Sequence, residues 1–289
     1  MKILITGCNG QLGQEMRNVL ETEYPGNTLY TDIAELDLTD AKAVVAYVAD
    51  NDITHIVNCA AYTAVDRAEE EKALCTAVNV DAVKNIANAA DAVGAKVVHV
   101  STDYVFDGTA YRPYSESDKV NPISQYGTTK RTGETALLAL APESIIVRTG
   151  WLYSPYGKNF VKTMRQLGRT NKEIKVVADQ IGTPTYALDL AKAIYKILRS
   201  HQWVQGVYHY SDMGVCSWYD LARAVMDMSG ITTCRINAIP TEEYPTVARR
   251  PYYSVLNKSR IRDTYDVEVP YWRDSLHDCI TRLDEIEKN

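Results

Sequence analysis

Apolar residues along this chain fall in short unbroken runs, separated by longer stretches with one apolar face every three to four residues. Residues 3–5 (Ile-Leu-Ile), 28–31, 53–58, 96–101 and 144–148 read as buried strands. Between them the helical period predicts helices over residues 11–20, 41–50 and 73–93, and a further one carrying Tyr126 and Lys130. Asp40 or Thr39 can cap the second helix, and Gly94 ends the third. Residues 66–72 are charged and read as a loop. Strand and helix therefore alternate, and such a chain makes a parallel sheet covered by helices on both faces. Beyond residue 150 the pattern loosens. A helix over 159–167, a strand over 174–177 and a turn-rich loop over 179–185 lead to a helix over 188–198. A strand over 207–210, a helix over 218–228 and a last amphipathic helix after Trp272 complete the chain.

The fold class expected is α/β: a Rossmann-type doubly wound parallel sheet with a smaller mixed α/β C-terminal domain. Residues 1–150 form a dinucleotide-binding domain, with 186–210 returning to it. Residues 151–185 and 211–289 form the substrate-binding domain. In such sheets ligands sit at the carboxyl ends of the strands, and Gly7, Asp32, Ala60, Thr102 and Thr149 all fall there. Gly7, Gly10 and Gly13 are spaced G-x-x-G-x-x-G between a strand and a helix. Glycines let the backbone approach a pyrophosphate, which Gln11 and Leu12 at the helix N-terminus would meet with free N–H groups. Asp32 ends the second strand and can accept hydrogen bonds from an adenosine ribose. It would repel a 2′-phosphate, so it leans towards NADH over NADPH. Asp37 and Leu38 would offer a backbone N–H and an apolar wall to an adenine. Ala60, Ala61 and Tyr62 leave room for a flat ligand, and Asn79 could bond backbone across to the strand ending at Thr102. Each of these also has a plain structural reading: a strand-to-helix turn, a loop acid, an exposed helical Asn.

The strongest chemistry lies between Lys96 and Lys130. A strand ends on Ser101 and Thr102, and Tyr126 and Lys130 follow four apart on one helix face. A lysine ammonium beside a phenol favours the phenolate. Bringing Tyr126 from ~10 to about 7 is ~3 units, or roughly 4 kcal/mol. That would suit proton exchange near neutral pH.

Composition narrows the classes. The chain has 289 residues, 46% hydrophobic and 24% charged, with a net charge of −6. No basic run marks a nucleic-acid or anionic membrane surface, and no stretch approaches a membrane span. Six scattered cysteines include no C-x-x-C pair, so no metal site is indicated and a reducing cytoplasm is expected. The second half is rich in Tyr, Trp and Arg, which suits a substrate with rings and negative charge.

With glycines, acid, Ser/Thr, Tyr and Lys in this order, the chain resembles the extended short-chain dehydrogenase/reductases. More narrowly it resembles their dTDP-4-dehydrorhamnose reductase branch. Thr6-Gly7 through Gly13, Ala60-Ala61-Tyr62-Thr63-Ala64-Val65-Asp66, Ser101-Thr102-Asp103-Tyr104-Val105-Phe106-Asp107-Gly108 and Tyr126-Gly127-Thr128-Thr129-Lys130 carry the likeness. Arg148-Thr149-Gly150-Trp151-Leu152-Tyr153, Asp179-Gln180-Ile181-Gly182-Thr183-Pro184-Thr185 and Arg249-Arg250-Pro251 extend it over nearly the whole chain. The resemblance implies reduction of the C4 ketone of dTDP-4-dehydro-6-deoxy-L-mannose to dTDP-L-rhamnose, with NADPH or NADH as cofactor. It gives Tyr126 as proton donor, Lys130 on the nicotinamide ribose and Thr102 on the substrate oxygen. Asp103, Tyr104 and Trp151 would line the sugar site, and Arg250 would take the diphosphate. Related 4,6-dehydratases are expected to carry Glu after the Thr-Asp pair, where this chain has Tyr104. Without that base, simple reduction is favoured over elimination. Some family members bridge a homodimer through Mg²⁺ held by Glu side chains, and Glu15 matches one such position. Another nucleotide-sugar 4-ketoreductase or epimerase would use the same residues. From a different class, a non-catalytic NAD(P)-binding regulatory subunit, of the kind that partners methionine adenosyltransferase, resembles these reductases without needing to turn over a sugar.

Overall fold

The computed structural model describes residues 1–288. Six parallel strands form the central sheet: β1 (Ile3–Thr6), β2 (Thr28–Thr31), β3 (His55–Asn58), β4 (Lys96–Thr102), β5 (Ile145–Thr149) and β10 (Gly206–His209), in the order β10-β5-β4-β3-β1-β2. The inner strands are short and largely buried on both faces, which is why they read as apolar runs, while the edge strand β2 is half-buried. Helices α1 (Gln11–Glu23) and α8 (Ala187–Arg199) cover one face, where Ile3, Ile5, Met16, Leu190 and Ile194 pack together. Helices α2 (Ala41–Asp50), α5 (Ala82–Val93) and α6 (Gln125–Leu140) cover the other through Val44, Ile86, Leu137 and Ile146. Asp40 caps α2, accepting from the N–H groups of Lys42 and Ala43.

Residues 66–72 are not simply a loop. A turn of helix, α3 (Val65–Ala68), precedes α4 (Lys72–Thr76), and Asp66 in the first turn of α3 complements its dipole. Nor is the stretch 73–93 one regular helix. A π-helical segment, Ala77–Asp81, separates α4 from α5, and Asn79 sits in it. Such wide turns are frequent at functional sites.

Much of the remainder packs as a second apolar cluster built from α7 (Phe160–Thr170), α9 (Trp218–Met228) and α11 (Trp272–Lys288), whereas Ile261, Tyr265 and Val267 join the first. Two-residue strands β6 (Leu152–Tyr153) and β9 (Thr185–Tyr186) pair with each other, as do β8 (Ile181–Gly182) and β11 (Cys216–Ser217). The chain's pattern gave no sign of β12 (Arg235–Ile239), which runs parallel to β7 (Glu173–Val177), or of the helix α10 (Ser259–Tyr265). β12 is half exposed and carries Arg and Asn, so it lacks an apolar run. Among the described residues no helix is long and apolar enough to cross a membrane.

Candidate active site

The glycine turn is tight at every step. Gly7 has φ +64°, and a Cβ there would lie 2.7 Å from the Ala60 backbone. A Cβ on Gly13 would lie 2.3 Å from the Gly7 carbonyl oxygen. Gly10 is the N-cap of α1, with no side chain capping the helix and no acid in its first turn. The start of α1 is therefore open to an anion. Gly13→Ala must push the turn apart, and the expected result is a loss of dinucleotide affinity of at least about tenfold with the fold retained. Equilibrium titration with NADH beside a thermal melt checks it.

Beside the turn lies a cavity of about 500 Å³ whose walls include Gly7, Asp32, Asp37, Leu38, Ala60 and Ala61. The Asp32 carboxylate accepts from the backbone N–H groups of Asn9 (3.0 Å) and Ile33 (2.9 Å). Asp37 accepts from the Thr39 hydroxyl and backbone, and these bonds lower its pKa. Tyr62 and Asn79 stand behind this wall. Asn79 does not reach the strand ending at Thr102, as its position suggested. Its side chain accepts from Tyr62 N–H at 2.9 Å and donates to Tyr62 C=O at 3.1 Å, holding the loop after β3. The Tyr62 phenol donates to Glu71 at 2.5 Å.

A second cavity, about 430 Å³, shares Gly10, Cys59 and Ala61 with the first and is also walled by Gln11, Leu12, Thr102, Tyr126 and Lys130. Ser124 caps α6 so that Tyr126 and Lys130 start one turn apart on its buried face. Thr102 donates to Asp103 at 3.1 Å and accepts from Tyr104 N–H at 3.2 Å. Lys130 Nζ donates to Val100 C=O at 2.8 Å and lies 3.4 Å from His99 Nε2. Here one expectation fails. Burial pushes the Tyr126 phenol up to about 12, and the Thr102 hydroxyl only partly opposes it. Lys130 is itself pushed down, to about 8, again by burial. Desolvation dominates at both groups, and the Lys130 charge does not lower Tyr126.

Asp103 is fully buried and pushed up to about 6 by desolvation, which the Ser254 and Thr102 hydroxyls only partly oppose. Gly150 makes room for it, since a Cβ there would lie 2.6 Å from the carboxyl. The Tyr104 ring meets Tyr126 edge-on, with centroids 5.6 Å apart. Trp151 has φ +50°, a strained conformation that aims its ring along the cavity wall. It stacks on Trp218 at 3.5 Å and 7°. Trp218 was not legible as a site residue, because nothing local links it to Trp151.

Arg250 stands apart from this cavity. Its fork grips Asp66 at 3.0 and 2.7 Å, joining the loop after β12 to α3. With both oxygens of Asp66 engaged, its guanidinium is not the free fork that the diphosphate assignment assumed. The cations on the second cavity's wall are Lys130 and Lys158. Glu15 is also paired: it accepts from Arg282 at 2.9 and 3.2 Å and from Asn18 at 3.0 Å. A Mg²⁺ ion at Glu15 would have to displace Arg282, and no group of metal-ligating side chains forms among the described residues.

A parallel sheet with its glycine turn under one cavity and Thr102, Tyr126 and Lys130 on the next defines an extended short-chain dehydrogenase/reductase. A family profile described as RmlD substrate binding domain matches residues 1–285. The chain is 39% identical over 284 residues to dTDP-4-dehydrorhamnose reductase of Aggregatibacter actinomycetemcomitans, covering 95% of this chain and 97% of that one. It superposes on the crystal structure of a Clostridium acetobutylicum dTDP-4-dehydrorhamnose reductase with TM-score 0.94 and 44% identity, over 98% and 100% of the two chains. The Bacillus anthracis reductase, solved in complex with NADP, gives TM-score 0.93 and 39% identity over 98% and 100%. The chain belongs to the dTDP-4-dehydrorhamnose reductase family.

Proposed function

We infer that this protein reduces the C4 ketone of dTDP-4-dehydro-6-deoxy-L-mannose to dTDP-L-rhamnose, taking the hydride from NAD(P)H. The observation that carries this is the joining of two cavities along one line of strand ends, with the hydroxyls of Thr102 and Tyr126 at the far one. The donor set fits a dinucleotide: an acid for the ribose at Asp32, glycines and an open helix start for the pyrophosphate, and a lysine and phenol beyond. When bound, the reduced nicotinamide supplies the hydride to C4. Tyr126, protonated at neutral pH because it is buried, gives its proton to the oxygen as the carbonyl becomes an alkoxide. Thr102 donates to the same oxygen and shares its charge. Lys130 directs its remaining N–H groups towards the nicotinamide ribose. Trp151, backed by Trp218, walls the sugar, and Asp103 and Tyr104 shape its floor. Arg250 ties the loop after β12 to α3 through Asp66, and Lys158 is the wall cation suited to a diphosphate. Residues 1–150 with 186–210 serve the dinucleotide, and the remainder serves the substrate. A cytoplasmic location fits six cysteines that are all unpaired.

NADH is the favoured cofactor. The Asp32 cavity has acids at Asp32 and Asp37 and no Lys or Arg on its wall, so a 2′-phosphate lodged there would face two carboxylates. Oxidation at 340 nm with the dTDP-4-keto sugar generated in place is expected with both cofactors, with kcat/KM higher for NADH. Asp32→Ser should narrow that ratio by roughly tenfold, about 1.4 kcal/mol. Tight dinucleotide binding with no oxidation would sink the reductase reading for that sugar.

A further inference from the structure

Behind Lys130 runs a chain of hydrogen bonds with only one direction available to it. The direction is set at a backbone group. Ala60 N–H donates to Asn58 Oδ1 at 3.1 Å, and the Thr6 hydroxyl donates to the same oxygen at 2.7 Å. A backbone N–H cannot accept, so the orientation of the Asn58 amide is settled. Its nitrogen then faces His99 Nδ1 at 3.0 Å. An amide nitrogen only donates, so Nδ1 must be bare. His99 is fully buried, and desolvation followed by the nearby Lys130 charge keeps the ring neutral. Its one proton is therefore on Nε2, and Nε2 faces Lys130 Nζ at 3.4 Å.

That contact treats the two forms of Lys130 differently. An ammonium has three donors and no acceptor, so a ring N–H aimed at it is unfavourable. The neutral amine has a lone pair that accepts from Nε2–H. The bond to Val100 C=O, at 2.8 Å, is made by either form. We propose that His99 is a positioning residue for Lys130, whose donated Nε2–H favours the neutral amine over the ammonium.

The other groups around Lys130 act the opposite way or carry little charge. Glu134 on α6 favours the ammonium, as do Cys75 on α4 and Cys59 after β3. Glu134 is already held by Arg148 and Arg131. The Cys59 thiol is pushed up to about 12 by burial and is neutral at working pH. Tyr126 lies one turn earlier on α6 and is neutral there for the same reason. Lys130 is nonetheless displaced to about 8, with burial the largest cause, and the geometry adds the donor at His99.

Lysine labelled with ¹³C at Cε gives a direct NMR titration of Lys130, assigned with Lys130→Met. His99→Gln can accept from Asn58 and donate to Nζ as histidine does, and should keep the wild-type titration. His99→Leu has no donor, and the Lys130 titration should rise by roughly one unit. His99→Met, more adaptable in shape, replaces it if His99→Leu does not fold. An unchanged titration in a folded His99→Leu or His99→Met protein overturns the proposal. So does a shift in His99→Gln as large as in the apolar variants. The relevance to turnover rests on the reading of Lys130 given above, and it is read separately. An alkaline limb of kcat/KM that follows the NMR shift supports both. A shifted NMR titration with no change in the alkaline limb leaves the His99 contact standing and removes Lys130 from the reaction.

Discussion

Replacing Tyr126 with Phe lowers kcat for ketone reduction by about 10²–10⁴-fold, the usual contribution of one positioned proton donor. The ring stays, so its edge-on packing against Tyr104 stays with it. Only the hydroxyl is removed. In the native protein that hydroxyl is protonated across the neutral range, because burial places the phenol at about 12. It can therefore give a proton without first having to gain one. Thr102 remains in Tyr126→Phe and can still donate to the substrate oxygen, but its own proton is much harder to release than a phenol's. Charge sharing survives and proton delivery does not. Single-turnover absorbance at 340 nm measures the chemical step, and NADH titration measures binding, which should hold within about threefold. A kcat within tenfold of wild type would remove Tyr126 from the donor role.

The largest effect on stability is expected at Glu134. Its carboxylate accepts from Arg148 at 2.8 and 2.7 Å, entirely out of water, under the end of β4. Arg148 also lies over the Phe106 ring, 5.3 Å from its centroid. Burial alone would raise the Glu134 pKa, but the hydrogen bonds and charge of Arg148 win and hold it below the usual range. Glu134→Ala leaves Arg148 buried with its charge uncompensated, a loss of about 3–5 kcal/mol. The melting temperature should fall by on the order of 10 °C. Arg131, also paired with Glu134 but partly exposed, is the control, and Arg131→Ala should cost no more than about 1 kcal/mol. The sign with pH follows from the lowered pKa. The contribution of Glu134 is complete above its unfolded value and fades as pH falls through the folded one, so Glu134→Ala and wild type should converge in strong acid. Equal melts at pH 7 would mean that the pair contributes nothing net.

Features with a local cause were legible in the chain. Gly13 is demanded by the backbone of Gly7 and Cys8 just before it, and the Tyr126–Lys130 pair by the helical period, whereas the crowding at Gly7 comes from Ala60, far along the chain. The strand at 207–210 could be seen as a buried run and does join the sheet beside β5. What stayed hidden depends on residues meeting across the fold. Trp151 and Trp218 are ordinary aromatics until α9 packs under the first loop beyond β5. Arg250 looked like a free cation because Asp66 lies 184 residues away. The pKa of Tyr126 was misjudged for a related reason. Spacing reports that a lysine is near, whereas the balance turns on how far both groups are withdrawn from water. Asn79 was placed on a regular helix, and only the π-helical segment turns its amide to the loop after β3.

The order of the strands has a consequence for how the chain is made. β5 is the last strand of the first 150 residues, and every one of its residues is buried in the finished sheet. Its outer edge is closed by β10, which leaves the ribosome only after the whole of α7 and α8. During synthesis, therefore, the nascent sheet carries an open rim that begins with three apolar residues, Ile145, Ile146 and Val147, and includes the still-uncovered Arg148, and such an edge templates pairing with other chains. The helix that covers the neighbouring face, α8, arrives in the same late segment. Release of a chain cut near residue 150 would yield an aggregating fragment rather than a small dinucleotide-binding protein, and nascent-chain chaperones would be needed most over the interval between these two strands.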